Sequence, residues 1–123
     1  MPELGEPVLF LPGLMCDARL FAPQIAALSA RHPVSVMPLI GADRVEALAR
    51  LVLDAAPPRF ALAGLSMGGI VAMEVLARAP ERVTRLALMD TNCLAETPQV
   101  AAGREPQIAA VRAGRLEEVM REE

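Results

Sequence analysis

Four short apolar runs, separated by segments with helical periodicity, constrain the fold of this chain more than any other feature of its sequence. The runs are Val8-Leu9-Phe10-Leu11, 34–39, Phe60-Ala61-Leu62-Ala63 and Leu86-Ala87-Leu88-Met89. Continuous apolar runs of this length, bounded by Pro or Gly, are typical of strands buried on both faces of a parallel sheet. Strands that alternate with helices require right-handed crossovers. We therefore predict an α/β fold with a parallel sheet of about four strands and helices on both faces.

The first two helices are predicted from their apolar spacing and their end signals. A helix from Phe21 to about Ala30 tolerates Pro23, because the first helical turn does not use every N–H donor. A second helix is predicted to begin at Asp43, since Glu46 follows three residues later in a capping-box arrangement.

The third helix and the region after Thr91 differ in character. The segment 67–79 is apolar almost all round, so we expect a central and buried helix there. After Thr91 no strand-like run occurs, and two short amphipathic pieces are separated by Gly114. We therefore predict a core region at 1–95 and a different, helical subregion at 96–123.

Composition excludes several classes of function. The chain has 123 residues, a formal net charge of −3 and 12 basic residues, all of them arginine. Without a basic stripe we expect no nucleic-acid partner, and without lysine a phosphate-loop or Schiff-base site is excluded. No apolar run approaches the ~18 residues that span a bilayer, so we expect no membrane span. One histidine and two separated cysteines supply no metal cluster, and we predict no metal and no cofactor.

The cysteines and the first residues bear on the cellular compartment. Residues 1–7 carry two acids and no cation, so we expect no secretory signal there. Cys16 and Cys93 follow strands that would flank the third strand about 9.5 Å apart, beyond the usual ~7 Å limit for a disulfide. We therefore expect free thiols and a cytoplasmic protein.

The segment Gly64-Leu65-Ser66-Met67-Gly68 lies between the third strand and the third helix and carries the predicted chemistry. A serine at such a tight turn is forced into an unfavourable backbone conformation, and its hydroxyl projects clear of the sheet. Gly64 and Gly68 let strand and helix approach closely. We predict Ser66 as a nucleophile. A plain connection is the alternative, whereas a dinucleotide loop would need glycine in place of Ser66.

Two backbone donors are predicted to hold an oxyanion near Ser66. The first is the N–H of Met67, which lies at the start of the helix and has no helical acceptor. It can therefore stabilise a developing negative charge. The second is the N–H of Leu14, in the loop after the first strand, where Gly13 is expected to allow the turn that directs it inward.

With these residues the chain resembles the N-terminal half of an α/β-hydrolase over residues 7–123. The Gly-x-Ser-x-Gly turn is matched in full, and Leu11-Pro12-Gly13-Leu14 resembles the oxyanion loop, with Pro12 where the family more often has His. Pro80-Glu81-Arg82-Val83 and Met89-Asp90-Thr91 are typical of esterase-like and lipolytic members. The resemblance implies the strand order second, first, third, fourth, which is 4-3-5-6 in the family's strand numbering. It also implies that 96–123 begins a helical cap.

The resemblance implies a serine hydrolase that acts on a small carboxylic ester, amide or thioester through an acyl-serine intermediate. In this fold the chain order is serine, acid, histidine, but the single histidine, His32, precedes Ser66 and is expected at the opposite end of the sheet. Asp90, after the fourth strand, is a candidate acid; its alternative is to cap the local turn. An acyltransferase or C–C bond hydrolase of the same fold remains open.

Because the base is missing, we expect a truncated enzyme that is inactive or feeble as an isolated chain. A different class of function is a non-catalytic binding module built on the same half-sheet. Its fourth strand would then be an unpaired apolar edge, which predicts a homodimer through that edge.

Overall fold

Four parallel strands form one sheet in this structure, a computed structural model that describes residues 4–122 of the chain. They are β1 (Val8–Leu11), β2 (Val34–Val36), β3 (Phe60–Leu65) and β4 (Val83–Met89). Their order across the sheet is β2-β1-β3-β4, with parallel pairing throughout. The predicted α/β class and the predicted strand order are confirmed.

The helices alternate with the strands up to β4 and follow one another after it. A 3-10 helix (Ala18–Phe21) leads into α1 (Ala22–Leu28), and these are followed by α2 (Val45–Ala55), α3 (Met67–Arg78), α4 (Pro98–Arg112) and α5 (Leu116–Glu122). Pro23 lies in the first turn of α1, as predicted. Gly114, with a φ of 85°, separates α4 from α5.

The two faces of the sheet bury different cores, because successive side chains of a strand point to opposite faces. Leu9 and Leu11 of β1 pack in the larger core with buried residues of α2 and α3. Phe10, between them, points to the other face and contacts Phe21, with ring centroids 4.7 Å apart. Helices therefore cover both faces of the sheet, as predicted.

Strand β4 starts at Val83, three residues before the predicted Leu86, and is the least buried strand. Its pairing with β3 shifts at Thr84, which is an extra residue in the ladder of the kind found in β-bulges. The exposed fractions of Leu86 and Leu88 are 37% and 41%.

Two helical predictions were wrong in detail. Helix α2 begins after Arg44, which has an extended backbone, and no side chain caps it; Asp43 therefore does not form the predicted capping box. Helix α3 buries Val71 and Val75 on one side, but Ile70 is exposed, so it is not buried all round.

The chain divides into two compact units at Cys93 and Leu94. In the second unit, α4 is one helix of 15 residues, which is longer than the predicted piece around Ile108. Residues 1–3 and 123, at the ends of the predicted regions 1–95 and 96–123, lie outside the described residues. Among residues 4–122, no helix has the length and apolar character needed to cross a bilayer.

Candidate active site

Ser66 is the single residue between β3 and α3, and its backbone is in a conformation that residues with a side chain rarely adopt. Its φ is 53° and its ψ is −116°. A serine before a helix usually caps it by accepting a hydrogen bond from a backbone N–H, but Ser66 forms no such bond. The residue is exposed. The hydroxyl is therefore available at the surface and is not used in holding the helix.

Glycines on either side of Ser66 allow the close packing around this turn. A Cβ atom at Gly64 would lie 2.3 Å from the carbonyl oxygen of Gly68, and one at Gly68 would lie 2.1 Å from that of Leu11. Because these neighbours are backbone atoms, no side-chain rotation could relieve either clash. The close approach predicted for the two glycines is present in the structure.

The loop after β1 lies beside Ser66. A Cβ atom at Gly13 would be 3.6 Å from the Cβ atom of Ser66, an ordinary contact distance. A hydrogen bond from the N–H of Cys16 to the carbonyl oxygen of Gly13 (3.1 Å) closes a turn in which Met15 has a φ of 59°. The turn predicted at Gly13 is therefore present, and its positive φ belongs to Met15 and not to Gly13.

Two backbone donors near this turn have no acceptor among residues 4–122. These are the N–H of Met67, at the start of α3, and the N–H of Leu14, in the loop beside Ser66. Unpaired N–H groups at a helix start favour negative charge. The N–H of Met67 therefore favours a negative charge at the start of α3.

The last residue of β4 and the segment after it form hydrogen bonds with the backbone of Ser66. The N–H of Ser66 donates to the carbonyl oxygen of Met89 (2.9 Å), and the hydroxyl of Thr91 donates to the carbonyl oxygen of Ser66 (2.7 Å). Asp90, between them, is exposed and has a φ of 47°. Asp90 thus lies at the same end of the sheet as Ser66. Thr91 is named in the sequence analysis only within the Met89-Asp90-Thr91 match, because nothing in the sequence predicts its bond to the Ser66 carbonyl.

His32 lies at the other end of the sheet, two residues before β2 begins. Its Nδ1 donates to the carbonyl oxygen of Glu6 (2.9 Å), and its side chain is half-buried. Because Ser66 follows the carboxyl end of β3, His32 cannot reach it. No imidazole of this chain is therefore placed to accept a proton from Ser66.

Two carboxyl groups, those of Glu6 and Asp17, have a pKa shifted by neighbouring side chains. A hydrogen bond from Thr84, together with Arg85, lowers the pKa of Glu6 below its ordinary 4.5. Hydrogen bonds from Arg19 lower the pKa of Asp17, which accepts from the backbone N–H of Arg19 at the start of the 3-10 helix.

The described residues hold no group of three or more His, Cys, Asp or Glu side chains that could bind a metal ion. Cys16 and Cys93 are free and exposed. A groove of about 300 Å³ lies on the α1 face of the sheet, over β3 and β4, and is lined by apolar residues such as Phe10, Leu28, Ala63 and Met89. Ser66 does not line this groove.

Comparison with known proteins gives relatives with hydrolase names. The chain is 37% identical over 99 residues to "Putative carbamate hydrolase RutD" of Azorhizobium caulinodans, which covers 70% of this chain and 37% of that protein. It is 40% identical over 74 residues to pimeloyl-[acyl-carrier protein] methyl ester esterase of Photobacterium profundum, which covers 56% of this chain and 27% of that protein. No family model matches the chain.

Among solved structures, a thermophilic esterase from Thermogutta terrifontis matches with a TM-score of 0.75 and 26% identity. The match covers 92% of this chain and 47% of the esterase. The chain thus spans less than half the length of each of these proteins.

Proposed function

The chain has the α/β-hydrolase fold, and we propose that it carries the nucleophile of a serine hydrolase for a small carboxylic ester, amide or thioester. The observation that carries the proposal is Ser66, whose exposed hydroxyl caps nothing and whose backbone has a positive φ. Strained residues of this kind concentrate at functional sites. The names of the relatives, a carbamate hydrolase and two esterases, support a carboxylic acid derivative as substrate.

In the proposed reaction, the Oγ of Ser66 attacks the substrate's carbonyl carbon while its proton passes to an imidazole base. The carbonyl π electrons become an oxyanion, which the N–H groups of Met67 and Leu14 stabilise. Collapse of this intermediate expels the alcohol, amine or thiol, which takes the proton from the imidazolium, and leaves an acyl-serine. A water molecule then attacks the carbonyl carbon of the acyl-serine through the same steps, and the carboxylic acid and free Ser66 are released.

Asp90 is the proposed acid that would orient the base. Support comes from its position, one residue from Met89, whose carbonyl oxygen accepts the Ser66 N–H. Its exposed carboxylate makes no hydrogen bond or ion pair within residues 4–122, so it is free to accept one from an imidazole.

The base itself is proposed to come from sequence outside residues 4–122. Support comes from His32, which is engaged at the far end of the sheet, and from the greater length of the relatives. We further propose that 96–123 begins a cap and that the protein works in the cytoplasm, where the exposed Cys16 and Cys93 would stay reduced.

A fluorophosphonate probe tests the proposal, because it phosphonylates only activated serines. We expect slow labelling of the chain, faster labelling when imidazole is added as an external base, and none for Ser66→Ala. Ser35→Ala, which changes an exposed serine in β2, is the matched control and should label like the wild type. Labelling that survives Ser66→Ala, or that is absent even with imidazole, would refute the nucleophile.

A second candidate function is supported by the exposed edge of β4. Leu86 and Leu88 leave an apolar, unpaired strand at the border of the sheet, and such edges invite pairing with another strand. We propose that two copies pair through this edge. Sedimentation should then show a concentration-dependent dimer that Leu88→Lys converts to a monomer, with Leu51→Lys on α2 as control. A monomer at every concentration would refute it.

A further inference from the structure

The carbonyl oxygen of Ser66 accepts three hydrogen bonds in this structure. Two come from backbone N–H groups of the first turn of α3, those of Gly69 (2.9 Å) and Ile70 (3.3 Å). The third comes from the hydroxyl of Thr91 (2.7 Å), which belongs to the segment after β4. A carbonyl oxygen has only two lone pairs, so this acceptor is fully occupied. The Thr91 bond is the one that ties the carbonyl to another strand.

The side chain of Thr91 also fills the space above Gly69. A Cβ atom at residue 69 would lie 2.6 Å from both the Cβ and the Oγ1 of Thr91 and 2.7 Å from its Cγ2. The threonine can hold this position only because residue 69 has no side chain. The hydroxyl is therefore held in place by packing as well as by its hydrogen bond.

The segment after β4 is shaped to make this contact. Asp90 has a φ of 47°, which turns the chain sharply after Met89. The carbonyl oxygen of Met89 accepts from the N–H of Ser66, and the hydroxyl of Thr91 donates to the carbonyl oxygen of Ser66. Both backbone polar groups of Ser66 are therefore bonded to the end of β4 or to the segment after it. A backbone outlier persists only where its surroundings over-determine it.

We propose that Thr91 is a positioning residue, which keeps Ser66 in its left-handed conformation through the hydroxyl bond to the Ser66 carbonyl. The proposal rests on the proposed role of Ser66 as nucleophile. Thr91 does not touch the reacting atoms. Its effect passes through the backbone of Ser66 to the direction in which the hydroxyl projects.

Amide hydrogen exchange of the wild type and Thr91→Val tests this directly, because valine keeps the shape of threonine and removes only the hydroxyl. We expect exchange at Gly69 and Ile70 to rise about five- to tenfold relative to amides inside β3, the factor that one hydrogen bond contributes to an equilibrium. Thr91→Ser, which keeps the hydroxyl, should restore wild-type exchange. An equal rise at every amide in Thr91→Val would mean general destabilisation and would overturn the proposal.

Thr84, in β4, provides a matched control. Its hydroxyl donates to the carboxylate of Glu6 at the opposite end of the sheet. Thr84→Val therefore removes a threonine hydroxyl bond without touching the Ser66 turn, and we expect no selective change at Gly69 or Ile70. A selective change there would show that the exchange readout is not specific to Thr91, and it would count against the proposal.

Gly69→Ala gives an independent route to the same result. The added methyl displaces the Thr91 side chain while leaving its hydroxyl in the protein. We expect the amide exchange rate of Ile70 to rise selectively, as in Thr91→Val. In the double variant, we expect this rate to be less than twofold higher than in either single variant. Fully additive effects would show that the two residues act separately and would overturn the proposal.

These outcomes stay separate from those of the proposed function. Exchange measures the Ser66 turn without any reaction, so a chain that fails to react with the fluorophosphonate still gives a decisive result on Thr91. If Ser66 does react, Thr91→Val should lower the first-order rate of phosphonylation at saturating probe about five- to tenfold, with little change in probe affinity. Thr91→Ser should restore that rate.

Discussion

Three non-glycine residues of the described chain have a positive φ, namely Met15, Ser66 and Asp90. They lie just beyond the carboxyl ends of β1, β3 and β4, respectively. The amino end of the same sheet has a different character. There Glu6 accepts from Thr84 and Arg85, and its carbonyl oxygen accepts from His32. One end of the sheet therefore holds strained backbone and unpaired donors, while the other holds polar groups with partners.

Arg82 shows how complete the contacts at the amino end are. Its guanidinium donates to the carbonyl oxygens of four residues around the end of α2 and the start of β3, namely Leu53, Ala56, Pro57 and Pro58. It also lies 5.7 Å from the centroid of the Phe60 ring. The positive-φ residues therefore lie at the end of the sheet that carries the candidate site, whereas the amino end is held by many hydrogen bonds.

The largest effect is expected from Gly68→Ala at the carboxyl end. A methyl group there would lie 2.1 Å from the carbonyl oxygen of Leu11, so α3 or β1 must shift. We expect a loss of more than about 3 kcal/mol of unfolding free energy, at or above the upper end for overpacking. Urea denaturation measures it. Gly103→Ala, where an added Cβ meets no atom within 4 Å, is the control and should not destabilise the chain.

Arg82→Met should give the largest effect at the amino end. Methionine keeps much of the aliphatic stem but leaves four carbonyl groups to find water, and we expect a loss of about 2 to 3 kcal/mol. Arg59→Met, at an exposed position, should change the urea midpoint little. If Arg82→Met also abolished the reaction of Ser66 with a fluorophosphonate under folding conditions, the two ends would not be independent.

Met15→Gly should stabilise the protein if the carboxyl end stores strain. Glycine adopts a positive φ without steric cost, and Met15 is 41% exposed, so little burial is lost. We expect a gain of about 0.5 to 1 kcal/mol in the urea experiment relative to Met15→Ala, which keeps the steric penalty. Equal stability of the two variants would contradict stored strain at this position.

The smallest effect is expected from Glu6→Gln, and it should depend on pH. Hydrogen bonds lower the pKa of Glu6 in the folded chain below its ordinary 4.5, so its stabilisation is present above pH 4.5. It is lost as the pH falls through the folded pKa. The stability difference between wild type and Glu6→Gln should therefore be constant at neutral pH and shrink in acid. A difference that grows on acidification would show the opposite sign of linkage.

The strand predictions succeeded where burial dictates composition. β1 was found within its predicted limits and β3 extends two residues beyond its predicted end, because strands covered on both faces are continuously apolar. β4 was predicted too short, since Thr84 and Arg85 interrupt its apolar run. Those two residues lie on the edge of the sheet and bond to Glu6, a partner distant in sequence.

The second unit was the least predictable. α4 has no buried residues, so it lacks the apolar stripe from which helices are inferred. Its start did carry a signal that was not used: Thr97 caps the helix by accepting from the N–H of Val100, and Pro98 follows in the first turn. Pro106, inside the helix, is a signal against a continuous helix, because proline is unfavourable in a helix interior.

The sequence by itself determined the parallel α/β sheet and the turn that presents Ser66, because short-range patterns of apolar residues, glycine and proline specify them. The strand order was implied by the resemblance to the α/β-hydrolases. Only the tertiary structure decided that Met15 rather than Gly13 adopts the positive φ, that Asp43 caps nothing, and that Thr91 holds Ser66. The physical reason is that these outcomes depend on contacts between segments far apart in the chain. Such contacts exist only once β1, β3 and β4 lie side by side.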